Sequence, residues 1–263
     1  MRADKFFAAA FVSRTKAAEA IEKGLVLVNG KAIKPKSEIR ETDAISFLQA
    51  ESSFVSNGGY KLERAIRSFG LSCRDRIFAD LGASTGGFCD CLLQNGAKRV
   101  YAVDVGESLL HESLQTDTRI ITMDNTNARY LQKSDFQDRL DGVVTDVSFI
   151  SLRLILPVIG ALIDENGWAV ALIKPQFECE NKHIGKSGIV QPSAHAEIVK
   201  KVLGYATENG LYAHGLVNAP VRKGKNIEYV VWLTKDKQGA LSANDAAEII
   251  KVLIKSNSLG ELK

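Results

Sequence analysis

Cysteine and histidine are scarce, with four of each in 263 residues. Cys73, Cys89, Cys91 and Cys179 include no C-x-x-C pair, and the scattered histidines lack H-E-x-x-H spacing. Both facts argue against a zinc site or a disulfide framework, and no metal is expected. Long apolar runs are missing too: none approaches the ~18–20 residues of a membrane span. The opening stretch MRADKFFAAAFVSRTKAAEAIEKG turns polar too soon for a secretory signal, which makes the cytoplasm the expected compartment. The chain has no G-x-G-x-x-G dinucleotide fingerprint, no Gly-Lys-Ser/Thr phosphate loop, no internal repeat and no low-complexity segment. Net charge is only +3, too little by itself to require a nucleic-acid partner.

The charge that is present has a definite place. Residues 1–48 hold nine Lys/Arg against six Asp/Glu, and the rest of the chain holds 25 of each. This basic segment reads as a small unit of its own. Ser13 is placed to cap a helix running to about Lys23, with Gly24 as its stop. LVLVNGKAI is two apolar runs joined by Asn29-Gly30, a strong hairpin signal because both turn residues tolerate positive φ. AISFL supplies a further strand. The polar, Gly-rich stretch 49–59 reads as a linker to a second domain, 60–263.

That second domain opens with a helix, YKLERAIRSF, stopped by Gly70. From residue 76 apolar strands are expected at 76–81, 99–105, 119–124, 141–147 and 167–174, with helical segments between them. Such alternation predicts an α/β fold with a doubly wound, Rossmann-like, mostly parallel sheet. LYAHGLVNAP and IEYVVWLT read as a terminal hairpin, and Ser242 with Asp245 as the capping box of a last helix.

The stretch ADLGASTGGF lies where the first of these strands ends, on the side where open α/β sheets bind ligands. Its glycines allow a tight turn and close approach of the main chain. Asp80 stands before the first glycine, where it would repel a phosphate and suit a cation. Asp104 ends the second strand, the place of an acid that binds ribose hydroxyls. Asp124, followed by Asn125, ends the third. Acids at three strand ends plus a glycine loop fit S-adenosylmethionine, with its ammonium near Asp80, its ribose near Asp104 and its adenine near Asp124 or Asn125. Any one of these acids taken alone reads equally well as a solvated strand end. Asp146 and Lys174 end the fourth and fifth strands, at the edge where this cofactor would lie. Lys61 and Glu228 are two further charges that could satisfy them. A lysine there could take the proton of a hydroxyl or stabilise the alkoxide, whereas ordinary rim ion pairs are the plainer reading for Lys61 and Glu228.

The blocks GGYKLERAI, DLGASTGGF, DVSFISL, IKPQFE and NIEYVVWL resemble the TlyA family of rRNA methyltransferases, also called haemolysin A. The resemblance covers nearly the whole chain. It implies a class I methyltransferase domain like the FtsJ (RrmJ) 2′-O-ribose methyltransferases, with a Lys-Asp-Lys-Glu tetrad at Lys61, Asp146, Lys174 and Glu228. In that likeness Lys174 activates the 2′-hydroxyl, Asp146 orients it, and Lys61 and Glu228 complete the network. Cofactor binding is implied at Gly82, Ala83, Ser84, Thr85, Gly86 and Gly87, although the usual methyltransferase loop has a glycine where this chain has Ser84. The N-terminal unit resembles the small RNA-binding domain of a ribosomal small-subunit protein and of some pseudouridine synthases. There Arg2, Lys5, Arg14, Lys16, Lys31, Lys34 and Lys36 would meet RNA phosphates. The loop 179–192, with Lys182 and Lys186, is expected to lack secondary structure and to cover the substrate nucleotide. The expected reaction is methylation of a cytidine 2′-hydroxyl in rRNA within a ribosomal subunit. The start of the chain, almost at RADKFF, points to the shorter family variety that modifies the large subunit. The rival readings are a non-catalytic RNA-binding assembly factor, a membrane-active haemolysin and an NAD enzyme, the last disfavoured by the missing fingerprint.

Overall fold

The apolar runs become strands because both of their faces find cover. Every residue of Gly142–Thr145 and of Trp168–Ile173 is buried, as a central parallel strand requires. The computed structural model describes residues 1–11, 13–22, 24–40, 42–47, 54–185, 187–220 and 224–258. It divides into two units, Met1–Ser53 and Phe54–Lys263.

In the first unit, α1 (Ala3–Phe6) and α2 (Arg14–Glu22) accompany three short antiparallel strands, β1 (Val26–Val28), β2 (Lys31–Ala32) and β3 (Ile45–Phe47), ordered β2-β1-β3. Val28 sits opposite Lys31, so Asn29 and Gly30 form a two-residue turn, with φ of 53° and 75°. Ala3, Phe7, Ala17, Ile21, Val26, Val28 and Ile39 make a small core. Lys23, where the second helix was expected to end, lies outside the described residues.

In the second unit, seven strands form one sheet: β4 (Ile77–Leu81), β5 (Arg99–Val103), β6 (Ile120–Met123), β7 (Gly142–Thr145), β8 (Trp168–Ile173), β9 (Tyr212–Asn218) and β10 (Tyr229–Thr234). Their order is β6-β5-β4-β7-β8-β10-β9. The pairings among β4 to β8 are parallel, and β10 lies antiparallel between β8 and β9. The helices are α3 (Asn57–Phe69), α4 (Gly87–Gln94), α5 (Glu112–Gln115), α6 (Leu156–Leu162), α7 (Pro175–Glu178), α8 (His195–Glu208) and α9 (Ala243–Ser258). On one face Leu62 and Ile66 of α3 and Phe88 and Leu92 of α4 cluster with Phe78, Val144, Val170 and Val230. On the other, Leu156 and Ile159 of α6, Val202 of α8 and Ile250 of α9 cluster with Ala79, Val143, Ala171 and Val231. Truncating one such leucine to alanine costs about 2–5 kcal/mol. The capping box of α9 is present: Ser242 N donates to Asp245 Oδ2 at 2.9 Å, and Asp245 N donates to Ser242 Oγ at 3.1 Å.

Strand register sets the level of the functional edge. Leu81 pairs with both Val103 and Thr145, so Gly82, Asp104 and Asp146 leave the sheet together. Ile173 pairs with Tyr229. Because β10 is antiparallel, its beginning lies where β8 ends, which sets Glu228 beside Lys174. The strand order reverses around β4, the usual place for a ligand in such a sheet.

Two expectations need correction. Residues 57–59, read as linker, are the first turn of α3. Close packing accounts for glycine here: a Cβ on Gly59 would lie 2.2 Å from Phe54, and one on Gly87, at the start of α4, would lie 2.2 Å from Ser56 Oγ and 3.0 Å from Gly59 N. The start of α3 is thereby pressed onto the start of α4. The other correction concerns 179–192. It contains a turn at Asn181–His183 and a bridge between Ile184 and Val190 and runs into a second turn at Pro192–Ala194, and Asn226 ties it down by accepting from Val190 N and donating to Gly188 O.

Candidate active site

The loop after β4 is built by its own main chain. Gly82 N and Ala83 N donate to Val103 O, and Gly86 N donates to Ala83 O. Gly82, Ser84 and Gly86 all have positive φ, at 83°, 49° and 87°. Ser84 N donates to Asp104 Oδ2 at 2.8 Å, and Gly106 N donates to Asp104 Oδ1 at 2.9 Å, so this carboxylate braces two turns at once.

Asp80 lies deeper, 1% exposed. Its Oδ2 accepts from the amide and the thiol of Cys89 at the start of α4, each at 3.1 Å, while Oδ1 is buried without a partner. Burial is the main reason its carboxyl is pushed up to about 7, with the charges of Asp146 and Asp104 adding to the rise against the Cys89 hydrogen bonds.

Next to this loop the four charged residues singled out in the sequence form one chain. Lys61 Nζ lies 2.7 Å from Glu228 Oε2 and 3.1 Å from Asp146 Oδ2. Lys174 Nζ lies 2.7 Å from Asp146 Oδ1, donates to the Ser148 hydroxyl at 2.7 Å, and reaches the Asp146 carbonyl at 3.2 Å. Burial works against the charge of Lys61, but the neighbouring carboxylates outweigh it and hold its ammonium above the ordinary lysine value. Lys61 is therefore a fixed cation.

Two cavities adjoin the chain and share Gly82, Ser84, Asp146 and Ser148. The smaller, about 290 Å³, is also bounded by Lys61, Asp80, Thr85, Gly87 and Lys174. The larger, about 520 Å³, is also bounded by Asp104, Thr126, Asn127, Arg129 and Phe149. Asp124 and Asn125 line neither cavity, contrary to expectation. Asp124 Oδ2 accepts from Ser108 N at 3.0 Å, and the chain reaches the cavity only from Thr126 onward. Sequence reasoning passed over Ser56, Thr126, Asn127, Arg129, Ser148 and Phe149. For Ser148 and Phe149 the available signal was their place directly after Asp146; Phe149 is 90% exposed with a φ of 63°.

The proposed RNA-binding residues divide. Arg2 and Arg14 both pair with the buried Asp4, at 2.8 and 3.0 Å, which gives them a structural task in their own unit. Lys5, Lys31, Lys34 and Lys36 are exposed and have no acidic partner among the described residues. Lys16 lies on α2, but its side chain is outside what is described, as is all of Lys186. Lys182 pairs with Glu180 at 2.8 Å. The four cysteines are free thiols, and among the described residues no cluster of His, Cys, Asp or Glu could hold a metal ion. Among them, too, no helix is long and apolar enough to cross a membrane.

A seven-stranded, mostly parallel sheet with an acid-rimmed glycine loop at its switch point is the architecture of a Rossmann-like methyltransferase. Residues 54–235 match the FtsJ-like methyltransferase family and residues 1–45 the S4 domain, and the chain belongs to that methyltransferase family, preceded by an S4 domain. The chain is 37% identical over 242 residues to the Mycobacterium tuberculosis 16S/23S rRNA (cytidine-2′-O)-methyltransferase TlyA, covering 90% of each. It is 40% identical over 222 residues to Hemolysin A of Brachyspira hyodysenteriae, covering 83% of this chain and 92% of the relative. A solved Streptococcus thermophilus structure described as a hemolysin superposes with a TM-score of 0.75 at 37% identity, covering all of this chain and 98% of the other.

Proposed function

We propose that this enzyme transfers the methyl group of S-adenosylmethionine to the ribose 2′-hydroxyl of a cytidine in ribosomal RNA of the large subunit, in the cytoplasm. The observation that carries this reading is the continuous ion-pair chain Glu228–Lys61–Asp146–Lys174 along the wall of the cavity that also holds Asp80 and the 82–87 loop. Bound there, S-adenosylmethionine supplies an electrophilic methyl group carried on a sulfonium. The residues fit it. The unpartnered Oδ1 of Asp80 suits its amino group, Asp104 has lone pairs left for its ribose, and Thr126, Asn127 and Arg129 wall the place for its base.

A ribose hydroxyl is a weak acid and a poor nucleophile. Lys174 is the group that takes its proton, and Asp146 holds Lys174 from two sides. Lys61, kept charged by two carboxylates, fixes the far side of Asp146 and leaves proton transfer to Lys174. General acid–base assistance of this kind contributes about 10²–10⁴-fold. Lys5, Lys31, Lys34 and Lys36 of the N-terminal unit hold RNA phosphates, which sets position without reading sequence. A Campylobacter jejuni relative, 32% identical over 199 residues, is named for 23S rRNA alone and the Mycobacterium relative for both 16S and 23S, and the large-subunit substrate is proposed on the rRNA common to the two.

The test uses the full chain with labelled S-adenosylmethionine and each ribosomal subunit. Label is expected on a 23S ribose, and Lys174→Ala should lose at least a hundredfold in rate. Label on a base, label in 16S rRNA alone, or an unchanged rate in Lys174→Ala would each refute the corresponding part.

A further inference from the structure

The hydrogen bonds around Lys174 single out a residue with no assigned role. A lysine ammonium has three N–H donors and no acceptor. Lys174 Nζ lies 2.7 Å from Asp146 Oδ1 as an ion pair, and its hydrogen bonds go to the Asp146 carbonyl at 3.2 Å and to Ser148 Oγ at 2.7 Å. The two Asp146 oxygens can only accept. The Ser148 hydroxyl alone can accept from the ammonium and donate to the neutral amine. Of the lysine's two hydrogen bonds, the one to the Asp146 carbonyl can run only outward, and the one to Ser148 can reverse when Lys174 is neutral.

Accessibility points the same way. Lys174 is 6% exposed, whereas Ser148 is exposed and borders both cavities. Lys174 borders only the smaller cavity, so a hydroxyl in the larger one has Ser148 in its wall and not the lysine. The chain turns sharply just after, at Phe149, where φ is 63°, a costly conformation for an aromatic residue.

We propose that Ser148 is a proton relay between the ribose 2′-hydroxyl and Lys174, an inference that rests on the methyl-transfer reading above. As the 2′-oxygen forms its bond to the methyl carbon, the carbon–sulfur bond breaks and its electron pair stays on sulfur. The 2′-proton passes to Ser148 Oγ while the proton already on Ser148 passes to Lys174 Nζ. Lys174 is left as an ammonium and returns one proton to solvent after the product leaves.

Ser148→Ala and Ser148→Thr test this in the full chain. Ser148→Ala should lower kcat at least tenfold, with KM for the ribosomal subunit and the calorimetric Kd for S-adenosylmethionine within twofold of the parent. Ser148→Thr, which keeps a hydroxyl, should recover most of the rate. In mixed light and heavy water the parent should show two protons in transit and Ser148→Ala only one. A kcat within threefold in Ser148→Ala would overturn the relay, as would a loss confined to KM or Kd. The failures separate cleanly. If Lys174→Ala is inactive and Ser148→Ala is normal, the relay alone is wrong; if Lys174→Ala is active, the reading beneath it is wrong.

Discussion

The two units of this chain handle positive charge in opposite ways. In the N-terminal unit Lys31, Lys34 and Lys36 are exposed and have no acidic partner among the described residues. At the sheet edge the Lys61 and Lys174 side chains are only 14% and 7% exposed, and each lies within 3.1 Å of at least one carboxylate. A solvated lysine costs the fold almost nothing and can meet a phosphate anywhere along a surface. A lysine drawn into the protein must be matched, and the matching fixes it in place. The first arrangement suits a substrate bound by its charge, and the second suits a hydroxyl that must be met at one atom.

The contrast is broken most severely at Lys61. Lys61→Ala leaves Glu228, 15% exposed, without its ion pair and takes one of two lysines from Asp146. Removing one partner of a buried pair costs about 3–5 kcal/mol. Urea unfolding should show a loss of that size in Lys61→Ala, against a change within about 0.5 kcal/mol for Lys31→Ala, as for a free surface group. Equal effects at the two positions would show that the sheet edge does not depend on its pairing.

How far this contrast could be read from the sequence depended on what each residue's role required. The strands of the sheet were legible because burial on both faces leaves unbroken apolar runs. Asn29-Gly30 and the Ser242–Asp245 box were legible because their partners are local. The four members of the ion-pair chain are 167 residues apart at the extremes, and Asp146 and Lys174 could be placed together only because parallel strands end at one edge. Glu228 joins them through an antiparallel strand inserted beside β8, which no spacing reveals. Ser148 was not legible, since a serine two residues past an acid at a strand end is unremarkable until a lysine from the next strand lies 2.7 Å away. The ion pairs of Arg2 and Arg14 were not legible for the converse reason: Asp4, which engages both, is buried. The glycines at 59 and 87 read as linker and ligand loop, yet each is required by a neighbouring segment.

A smaller effect, opposite in sign at the fold and at the site, is expected for Asp80. Burial raises its carboxyl from 3.8 to about 7. Below pH ~4 Asp80 is protonated in both folded and unfolded chains, and it costs the fold nothing. As pH rises toward and through 7 the unfolded chain releases this proton more readily. Stability is then lost, up to about 4 kcal/mol for a rise of about three pKa units. Asp80→Asn should therefore raise the cofactor-free melting temperature at pH 8 and leave it unchanged near pH 4. On the proposed function it should also weaken S-adenosylmethionine binding tenfold or more by calorimetry. Destabilisation at pH 8 would show that the carboxylate is held by a partner instead of kept for a ligand.

The mildest changes belong to the exposed lysines, and they sharpen the contrast by their form. Replacing Lys31, Lys34 or Lys36 one at a time by alanine removes a charge that no residue of the described chain balances. Each replacement should weaken RNA binding only a few-fold at moderate salt. The slope of log Kd against log salt should fall by about 0.7–0.9 for each phosphate no longer neutralised, with the unfolding free energy unaltered. The triple substitution should add these decrements, because separate solvated charges act independently. A single lysine whose removal abolished binding, or left the salt slope unchanged, would be acting as a fixed and shaped anchor. The N-terminal unit would then follow the rule of the sheet edge instead of its own.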